Sequence, residues 1–302
     1  MSMRSEPVNF YSDGVKLAGT FTLAVAAAPG EKRPLIVCVH GYTGRKGQYM
    51  PAYVRELTAA GYHTFDFFHR GFGDSDGIRH RNDPWEQVAD IAHALVYLRQ
   101  RPDVDTARIA LYGTSFGGST VMVAAANDPA VACVVSVGSP ADCGRSMRSK
   151  RSYSDTVYFE DMLREDRVQR VLTGQSRRVP YNELAPLGRA ESDSLSRVYK
   201  LSVDSEGYPL ENYDLAQTLV PEKYVARIAP RPVLFIHAER DTTVPLYEAQ
   251  SFYDHAQEPK KLIVLPGASH TDVYEPGNPQ VFQQVAQHMK DFFAQHLAQE
   301  QA

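Results

Sequence analysis

The sequence is poor in cysteine: its 302 residues include only Cys38, Cys133 and Cys143, and none belongs to a Cys-x-x-Cys pair. An odd and low number of cysteines excludes a disulfide framework and fits a reducing compartment. We interpret Cys38 and Cys133 as small buried residues of strands, and we place Cys143 in a loop. Because no group of His, Cys, Asp and Glu has metal-ligand spacing, we expect neither a metal nor another cofactor.

An excess of one charge and a long apolar run are also lacking. The net charge is −4, so the chain has no basic footprint for nucleic acid. No stretch has the length of a membrane span, and residues 1–7 lack the apolar core of a signal peptide. We therefore expect a cytoplasmic protein that acts on a small molecule and binds neither nucleic acid nor membrane. Assembly as a homodimer is left open.

What the sequence does contain is a regular alternation. After residue 30, apolar runs alternate with longer amphipathic segments, which indicates βαβ units and a mostly parallel sheet with helices on both faces. The predicted strands are 35–40, 62–67, 108–112, 131–137, 232–237 and 261–265. The predicted helices are 48–60, 84–100, 115–127, 246–256 and 279–297. Two alternating runs before them, within residues 8–24, predict a hairpin at the sheet edge.

Segment 139–229 interrupts this alternation, because it is polar and has no clear apolar strand. The sequence therefore predicts an α/β core of residues 1–138 and 230–302, with 139–229 inserted as a mainly helical cap. Five tyrosines of the cap either line a pocket for an aromatic or acyl group or pack between cap and core: Tyr153, Tyr158, Tyr199, Tyr208 and Tyr213. Four basic residues either bind a substrate anion or form a solvated face: Arg145, Arg148, Lys150 and Arg151.

One short motif carries chemistry. Residues 113–117 read Gly-Thr-Ser-Phe-Gly, between an apolar run typical of a strand and an alanine-rich run typical of a helix. A serine on such a sharp turn, a nucleophile elbow, has its hydroxyl exposed at the carboxyl end of a strand. The helix that follows directs its first N–H groups and its dipole toward a developing oxyanion. We therefore predict that Ser115 is a nucleophile, although the motif alone also fits a glycine-rich turn with a bystander serine.

Partners for Ser115 occur later in the chain, in the order acid and then histidine. Asp241 follows the predicted strand 232–237, and His270 follows the predicted strand 261–265, so both lie at the edge where Ser115 is expected. His270 would accept the serine proton, and Asp241 would fix the imidazole tautomer and stabilise the imidazolium. Glu239 is a rival acid in the same loop. Of three other histidines near strand ends, His40 and His69 are interpreted as structural or supporting, and His237 as a buried residue at the end of a strand.

The loop after the first predicted parallel strand reads His-Gly-Tyr-Thr-Gly at 40–44. In elbow enzymes a backbone N–H of this loop and the N–H of the residue after the nucleophile form the oxyanion hole. The donors predicted here are the backbone N–H groups of Tyr42 and Phe116. The motif also fits a flexible turn, but its position after a central strand favours the catalytic interpretation.

Together these motifs resemble the α/β-hydrolase superfamily over most of the chain. The segment 66–77, Asp-Phe-Phe-His-Arg-Gly-Phe-Gly-Asp-Ser-Asp-Gly, is similar to the D-x-R-G-x-G-x-S-x-G loop of many members. The branch that the chain resembles holds dienelactone-hydrolase-like proteins, feruloyl (cinnamoyl) esterases and the cocaine-esterase and X-Pro-peptidase group. The resemblance implies an α/β-hydrolase fold and a triad of Ser115, Asp241 and His270. Segment 139–229 matches no segment of the family.

These residues favour a serine hydrolase that cleaves a carboxylic ester through an acyl-enzyme. One alternative keeps the fold and cleaves an amide, a peptide or a carbon–carbon bond. Another is a binding protein that kept the fold without using a triad. The sequence names neither the acyl group nor the leaving group.

Overall fold

The computed structural model describes residues 3–28, 30–188, 192–193 and 207–298 of the chain. Its strands are β1 (Ser5–Ser12), β2 (Val15–Thr22), β3 (Arg33–Val39), β4 (His63–Phe67), β5 (Val104–Thr114), β6 (Cys133–Val137), β7 (Arg178–Val179), β8 (Tyr208–Pro209), β9 (Val233–Ala238) and β10 (Lys260–Leu265). Its helices are α1 (Lys46–Ala59), α2 (Pro84–Leu98), α3 (Phe116–Asn127), α4 (Cys143–Arg148), α5 (Tyr153–Thr173), α6 (Tyr181–Leu184), α7 (Glu211–Ala216), α8 (Leu246–His255) and α9 (Pro279–His296).

Eight of these strands form one sheet in the order β1-β2-β4-β3-β5-β6-β9-β10. The pairs β1–β2 and β2–β4 are antiparallel, and every later pair is parallel. The parallel strands end almost level, because Thr114 of β5 is opposite Val137 of β6, which is opposite Ile236 of β9. The loops that follow β3, β5, β6, β9 and β10 therefore meet at one edge of the sheet, where ligands of open α/β sheets bind.

The central strands are buried on both faces, which explains why they read as continuous apolar runs. Successive side chains of β3 point to opposite faces: Leu35 and Val37 join one hydrophobic cluster, and Ile36 and Cys38 join the other. Helices α2 and α3 supply apolar residues to the first cluster, and α1 and α9 supply them to the second. The α/β-hydrolase fold with helices on both faces of a mostly parallel sheet is thus confirmed.

Most predicted elements agree with the structure. The edge hairpin is β1–β2, and its turn uses Asp13 and Gly14, both at positive φ. Strand β5 begins at Val104, four residues before the predicted start at 108, because Arg33 pairs with Val104 ahead of the register shift on β3. Cys143 lies at the start of α4 and is buried, so its prediction as a loop residue is wrong.

The described part of segment 139–229 is mainly helical and holds α4, α5, α6 and α7. It also contains the two-stranded sheet β7–β8, which the sequence analysis did not predict. Phe159, Met162 and Leu163 of α5 belong to the same hydrophobic cluster as Phe10 and Phe65 of the sheet. The segment therefore shares an apolar core with one face of the sheet, and the division of the chain into core and cap stays a prediction.

Among the residues that the structure describes, no helix is both long enough and apolar enough to cross a bilayer.

Candidate active site

Ser115 occupies a strained turn between β5 and α3, with φ 51° and ψ −129°. A non-glycine residue at positive φ costs on the order of 1–3 kcal/mol and persists only where its surroundings hold it. Two hydrogen bonds hold this one: the Ser115 N–H donates to the Val137 carbonyl at 2.8 Å, and the Gly118 N–H donates to the Ser115 carbonyl at 2.9 Å. Ser115 is half-buried, whereas its neighbours on both sides are buried. Its side chain is thus the accessible point of the turn.

The glycines of the motif are required by close packing rather than by flexibility. A Cβ on Gly117 would lie 2.3 Å from the His40 carbonyl oxygen, and a Cβ on Gly113 would lie 2.3 Å from the Gly117 carbonyl oxygen. Real Cβ atoms do not approach backbone oxygen so closely, so a larger residue would displace the turn. The packing of Gly117 on His40 also joins the turn at Ser115 to the end of β3.

Asp241 and His270 are paired at the same edge of the sheet. The His270 Nδ1 is 2.6 Å from the Asp241 Oδ2, and both side chains are buried. The other carboxylate oxygen of Asp241 accepts the N–H groups of Thr243 at 2.9 Å and Val244 at 2.7 Å. The carboxylate is therefore fixed in orientation, and because it can only accept, the Nδ1 of His270 carries the hydrogen.

The loop after β6 connects this pair to the serine. Val137 accepts the N–H of Ser115, and the next residue, Gly138, has positive φ and lies against both members of the pair. A Cβ built on Gly138 would be 3.5 Å from the His270 Cε1 and 3.7 Å from the Asp241 Oδ2. The turn after β5 and the loops after β9 and β10 therefore converge on residues 137–138, as the sequence analysis predicts for Ser115, Asp241 and His270.

The rival acid is engaged elsewhere. Glu239 is exposed, and its Oε2 accepts the N–H of Gly267 at 2.7 Å. His237 is buried at the end of β9, as interpreted from the sequence, and its Nε2 donates to the Val244 carbonyl at 2.8 Å. Burial lowers the pKa of His237, so the ring stays neutral beside Asp241. Of these two histidines, His270 makes the short contact with the carboxylate of Asp241, at 2.6 Å, whereas the His237 Nε2 is 3.6 Å away.

The loop after β3 lies beside the serine. A Cβ on Gly41 would be 3.2 Å from the Cβ of Ser115, and the rings of Tyr42 and Phe116 are in edge contact at 5.1 Å. The Gly41 N–H donates to the Tyr49 hydroxyl at 2.8 Å. Within the described ranges, the backbone N–H groups of Tyr42 and Phe116 donate to no acceptor. These are the two donors that the sequence analysis predicts for an oxyanion hole.

His40 orients the peptide that carries the Tyr42 N–H. Its Nδ1 is 2.7 Å from the Gly41 carbonyl, and its Nε2 is 3.2 Å from the backbone N of His69. A carbonyl only accepts and a backbone N–H only donates, so Nδ1 carries the hydrogen and donates to the Gly41 carbonyl, while Nε2 accepts the His69 N–H. Because C=O and N–H of a trans peptide point in opposite directions, holding the Gly41 carbonyl fixes the direction of the Tyr42 N–H. His40 is thus a positioning residue, a more specific role than the sequence suggested.

A buried ion network lies behind this loop. Asp90 of α2 binds the His69 ring at 3.2 Å and the Arg70 side chain at 2.6 and 3.0 Å. Burial alone would raise the pKa of Asp90, but these hydrogen bonds lower it to about 2. The segment 66–77 is therefore anchored to α2 through His69 and Arg70. No sequence signal pointed to Asp90, because it is one polar residue within an otherwise regular amphipathic helix.

The buried state of His40 predicts a dependence of stability on pH. Burial lowers its pKa to about 3, whereas a histidine of the unfolded chain has a pKa of about 6.5. Between these values the unfolded chain binds a proton that the folded protein does not, so acid favours unfolding. Urea denaturation should show that His40 alone lowers the free energy of unfolding by about 2 kcal/mol between pH 7.5 and pH 5. In the H40Q variant the free energy of unfolding should depend less on pH by this amount. If it depended on pH as steeply as in the parent protein, His40 would not have the lowered pKa.

The predicted pocket tyrosines separate into two groups. Tyr153 and Tyr158 are among the most exposed apolar side chains of α5, at 86% and 72%, so the prediction that they line a pocket for an aromatic or acyl group is wrong. The α5 periodicity was too weak in sequence to reveal which face is buried. Tyr199 lies outside the described residues. Tyr213 is buried and packs edge-on against Phe159 at 4.8 Å, a contact within segment 139–229 rather than the packing between cap and core given as the alternative.

Tyr208 belongs to an aromatic group that reaches the serine. Its ring lies 5.7 Å from the ring of Tyr181, which lies 6.0 Å from Tyr42, which contacts Phe116. Burial raises the pKa of Tyr42 well above its usual value, so its hydroxyl stays neutral. The sequence analysis missed Tyr181, because nothing in the cap sequence distinguishes it from the other tyrosines. We call Tyr42, Phe116, Tyr181 and Tyr208 the aromatic wall.

The basic cluster of the cap is used in structural contacts, so neither sequence interpretation describes it. Arg145 binds Glu248 at 2.8 Å and Glu222 at 2.9 Å. Arg151 stacks over the Phe159 ring at 3.6 Å and donates to the Leu184 carbonyl at 2.8 Å. The remaining two members are also engaged, Arg148 with Gln217 and Lys150 with the Thr243 carbonyl. These contacts connect parts of the cap with each other, and they connect the cap with α8 and the loop that precedes it.

Three side chains that could together hold a metal ion, drawn from His, Cys, Asp and Glu, do not come together anywhere in the described ranges.

Comparisons with known proteins identify the family and the fold. Residues 30–277 match the family described as serine aminopeptidase, S33. The quorum-quenching protein AidA of Acinetobacter baumannii is 30% identical over 221 residues, which cover 70% of this chain and 71% of AidA.

Two solved structures share the fold. GrgF, an α/β hydrolase from Penicillium, has a TM-score of 0.82 and 24% identity, with 97% of this chain and 99% of GrgF covered. Est1E from Butyrivibrio proteoclasticus with bound ferulic acid has a TM-score of 0.70 and 20% identity, with 97% and 100% covered. The chain belongs to the serine aminopeptidase S33 family of α/β hydrolases.

Proposed function

We propose that this chain is a serine hydrolase that cleaves a carboxylic ester through an acyl-enzyme intermediate. The observation that carries the proposal is the Asp241–His270 hydrogen bond of 2.6 Å, packed on Gly138 next to the strained Ser115. A serine hydroxyl needs a base to become a nucleophile, and the base needs a group that fixes its tautomer. With the hydrogen on Nδ1, the Nε2 of His270 is the basic nitrogen that would accept the serine proton.

In the first half of the reaction the Ser115 Oγ attacks the ester carbonyl while His270 takes its proton. The negative charge moves to the carbonyl oxygen, where the Tyr42 and Phe116 N–H groups would bind it. Each such donor can lower the barrier by about 3 kcal/mol, because it is already oriented when the charge develops. The tetrahedral intermediate then expels the alcohol, which receives the proton from His270. The acid part stays bound to Ser115 as an ester.

In the second half a water molecule attacks this acyl-enzyme. His270 takes a proton from the water, the oxyanion forms again at the same donors, and the acid leaves as Ser115 recovers its proton. Asp241 remains ionised throughout and stabilises the imidazolium in both halves. No step needs a cofactor.

The aromatic wall supports an ester with an apolar or aromatic acyl group. Aromatic rings in offset or edge contact with a bound ring each add about 0.5–1.5 kcal/mol beyond the area they bury. Est1E, which shares the fold, was solved with ferulic acid, an aromatic carboxylic acid. Ring-containing acyl esters are therefore the first substrates to test.

The family description raises a second candidate, removal of an amino-terminal residue from a peptide. Such an enzyme binds the free ammonium group of its substrate, usually with a carboxylate beside the nucleophile. The acidic residues described near the elbow are already engaged: Asp142 caps α4, and Glu248 binds Arg145. The aromatic wall supplies no negative charge, so these contacts favour the ester over the peptide.

A panel of chromogenic substrates tests the choice. We expect p-nitrophenyl esters, including acetate, butyrate and benzoate, to be cleaved with kcat/KM at least about 100-fold above that for any aminoacyl p-nitroanilide. Rates of the S115A variant, subtracted from each, remove the hydrolysis that does not depend on Ser115. A leucyl or prolyl anilide cleaved within about tenfold of the best ester, and only with its amine unblocked, would establish the peptidase instead. No turnover together with no fluorophosphonate labelling of Ser115 would refute both.

A further inference from the structure

Helix α5 presents an apolar stripe to solvent. Its exposed apolar side chains range from 44% exposure for Val157 to 86% for Tyr153 and Val171, and include Val168 and Leu172. Exposed apolar residues scattered singly need no explanation, but a contiguous strip of them marks an interaction surface.

The stripe is diametrically opposite the packed side of α5. At 100° per residue, the buried residues Phe159, Met162, Leu163 and Asp166 centre on one direction of the helix. Residues 153, 157, 161, 164, 168 and 172 follow each other at spacings of four, four, three, four and four. They fall within an arc of about 100° on the opposite side, which is the width of a face that packs against another helix. We call these six residues the α5 stripe.

The α5 stripe is symmetric about the middle of the helix. A two-fold axis that passes midway between residues 162 and 163 would exchange Tyr153 with Leu172 and Val157 with Val168. It also exchanges Asp161 with Arg164, so the symmetry relates apolar residues to apolar ones and an acid to a base. An antiparallel copy of the same helix therefore meets each of these six positions with a complementary one, while Val171, which points in the same direction as Tyr153, faces Ser154.

We propose that this face joins two copies of the chain, with the two α5 helices packed antiparallel about a two-fold axis. In a two-fold interface each contact between two residues occurs twice, once on each side of the axis. Tyr153 would then pack on Leu172 of the other copy, and Val157 on Val168. Asp161 and Arg164 form an ion pair within the helix and are exposed, with side-chain exposures of 60% and 66%, so this pair would lie next to the axis and face the same pair of the second copy.

Charges along the whole helix favour the same arrangement. The first half of α5 carries Asp155, Glu160 and Asp161. The second half carries Arg164, Arg167 and Arg170 together with Glu165 and the buried Asp166, so its net charge is positive, although Arg167 and Arg170 also bind Asp214. Antiparallel pairing brings the acidic half of one copy to the arginines of the other, and it also opposes the two helix dipoles. Parallel pairing, or a bilayer surface, would gain neither advantage.

The size of the contact sets the expected affinity. A helix of 21 residues is about 31 Å long and roughly 10 Å across. Two such faces bury on the order of 1,000 Å² in total, which is at the lower limit of a specific interface. We therefore expect a dimer with a Kd in the micromolar range.

Sedimentation velocity of the full chain from about 1 to 200 μM tests the proposal. The parent protein should shift from monomer to dimer over this range, and V168E should remain a monomer. The matched control is V96E, because Val96 of α2 is also an exposed valine, 57% against 59% exposed. V96E should dimerise like the parent. A parent protein that stays monomeric throughout, or a V96E variant as defective as V168E, would overturn the proposal.

A charge exchange tests the antiparallel register. D161R places like charges on both sides of the axis and should weaken the dimer at least about tenfold. The double variant D161R/R164D reverses both charges, restores the complementarity and should return the Kd to within about threefold of the parent. Equal weakening by the double variant would exclude this register. Binding of the monomer to vesicles of neutral phospholipid, lost in V168E, would assign the stripe to a membrane surface instead and overturn the dimer.

Discussion

Replacing Ser115 by alanine should lower kcat by about 10⁶-fold and leave the fold intact. The substitution removes the only atom of the proposed mechanism that bonds to the substrate, and loss of the nucleophile in serine hydrolases has effects of this order. Alanine at φ 51° retains the backbone strain, so the free energy of unfolding should change little. The rate of hydrolysis of the best ester and the circular dichroism melt of S115A measure the two quantities.

The matched control is S119A. Ser119 lies four residues further along in α3, and its buried hydroxyl donates to the Pro140 carbonyl at 2.6 Å. Its loss should cost about 1 kcal/mol of stability while kcat stays within a few fold of the parent. Fluorophosphonate should label the parent and S119A stoichiometrically and S115A not at all. An S115A variant that keeps a tenth of the parent kcat would rule out the covalent role.

Replacing Asp241 by asparagine should lower kcat by about 10⁴-fold. The hydrogen bonds explain the size of the effect. One carboxylate oxygen accepts the N–H groups of Thr243 and Val244, so the amide oxygen of asparagine would take that position. The amide NH₂ would then face the Nδ1 of His270, which must present a lone pair to it. His270 would carry its hydrogen on Nε2 and could no longer accept the serine proton.

E239Q provides the comparison for D241N. Glutamine keeps the oxygen that accepts the Gly267 N–H, so E239Q should retain kcat within about threefold. Measuring kcat for both variants on the same ester ranks the two acids. If E239Q lost more activity than D241N, the acid of the triad would be misassigned.

The site could be predicted wherever its geometry is encoded in consecutive residues. The elbow is such a case, since strand, turn and helix follow each other around Ser115, and the turn needs glycine at 113 and 117. The positions of Asp241 and His270 followed from topology, because parallel strands place their exit loops at one edge. The choice between Asp241 and Glu239 needed the structure, which shows Glu239 directed to the neighbouring loop.

The cap could not be predicted to the same depth. Its buried and exposed faces are decided by contacts with the sheet, so Tyr153 and Tyr208 look alike in the sequence but one is exposed and the other is in the aromatic wall. The sequence pattern also does not indicate which charged residues are paired in the interior. Asp90 and Glu248 read as ordinary helix residues, and only packing shows that each neutralises an arginine from another element.

The contact of Arg145 with two carboxylates has an evolutionary consequence. Glu248 is fully buried, and it accepts the N–H groups of Ala141 and Asp142 as well as the Arg145 side chain. Loss of Arg145 alone would leave a buried charge without its counter-ion, at a cost of about 3–5 kcal/mol. We therefore expect substitutions of Arg145, Glu222 and Glu248 to be energetically coupled, although these residues are separated in the sequence. Homologues should retain all three charges or have exchanged them together, so co-variation at these positions would record how cap and core were inherited.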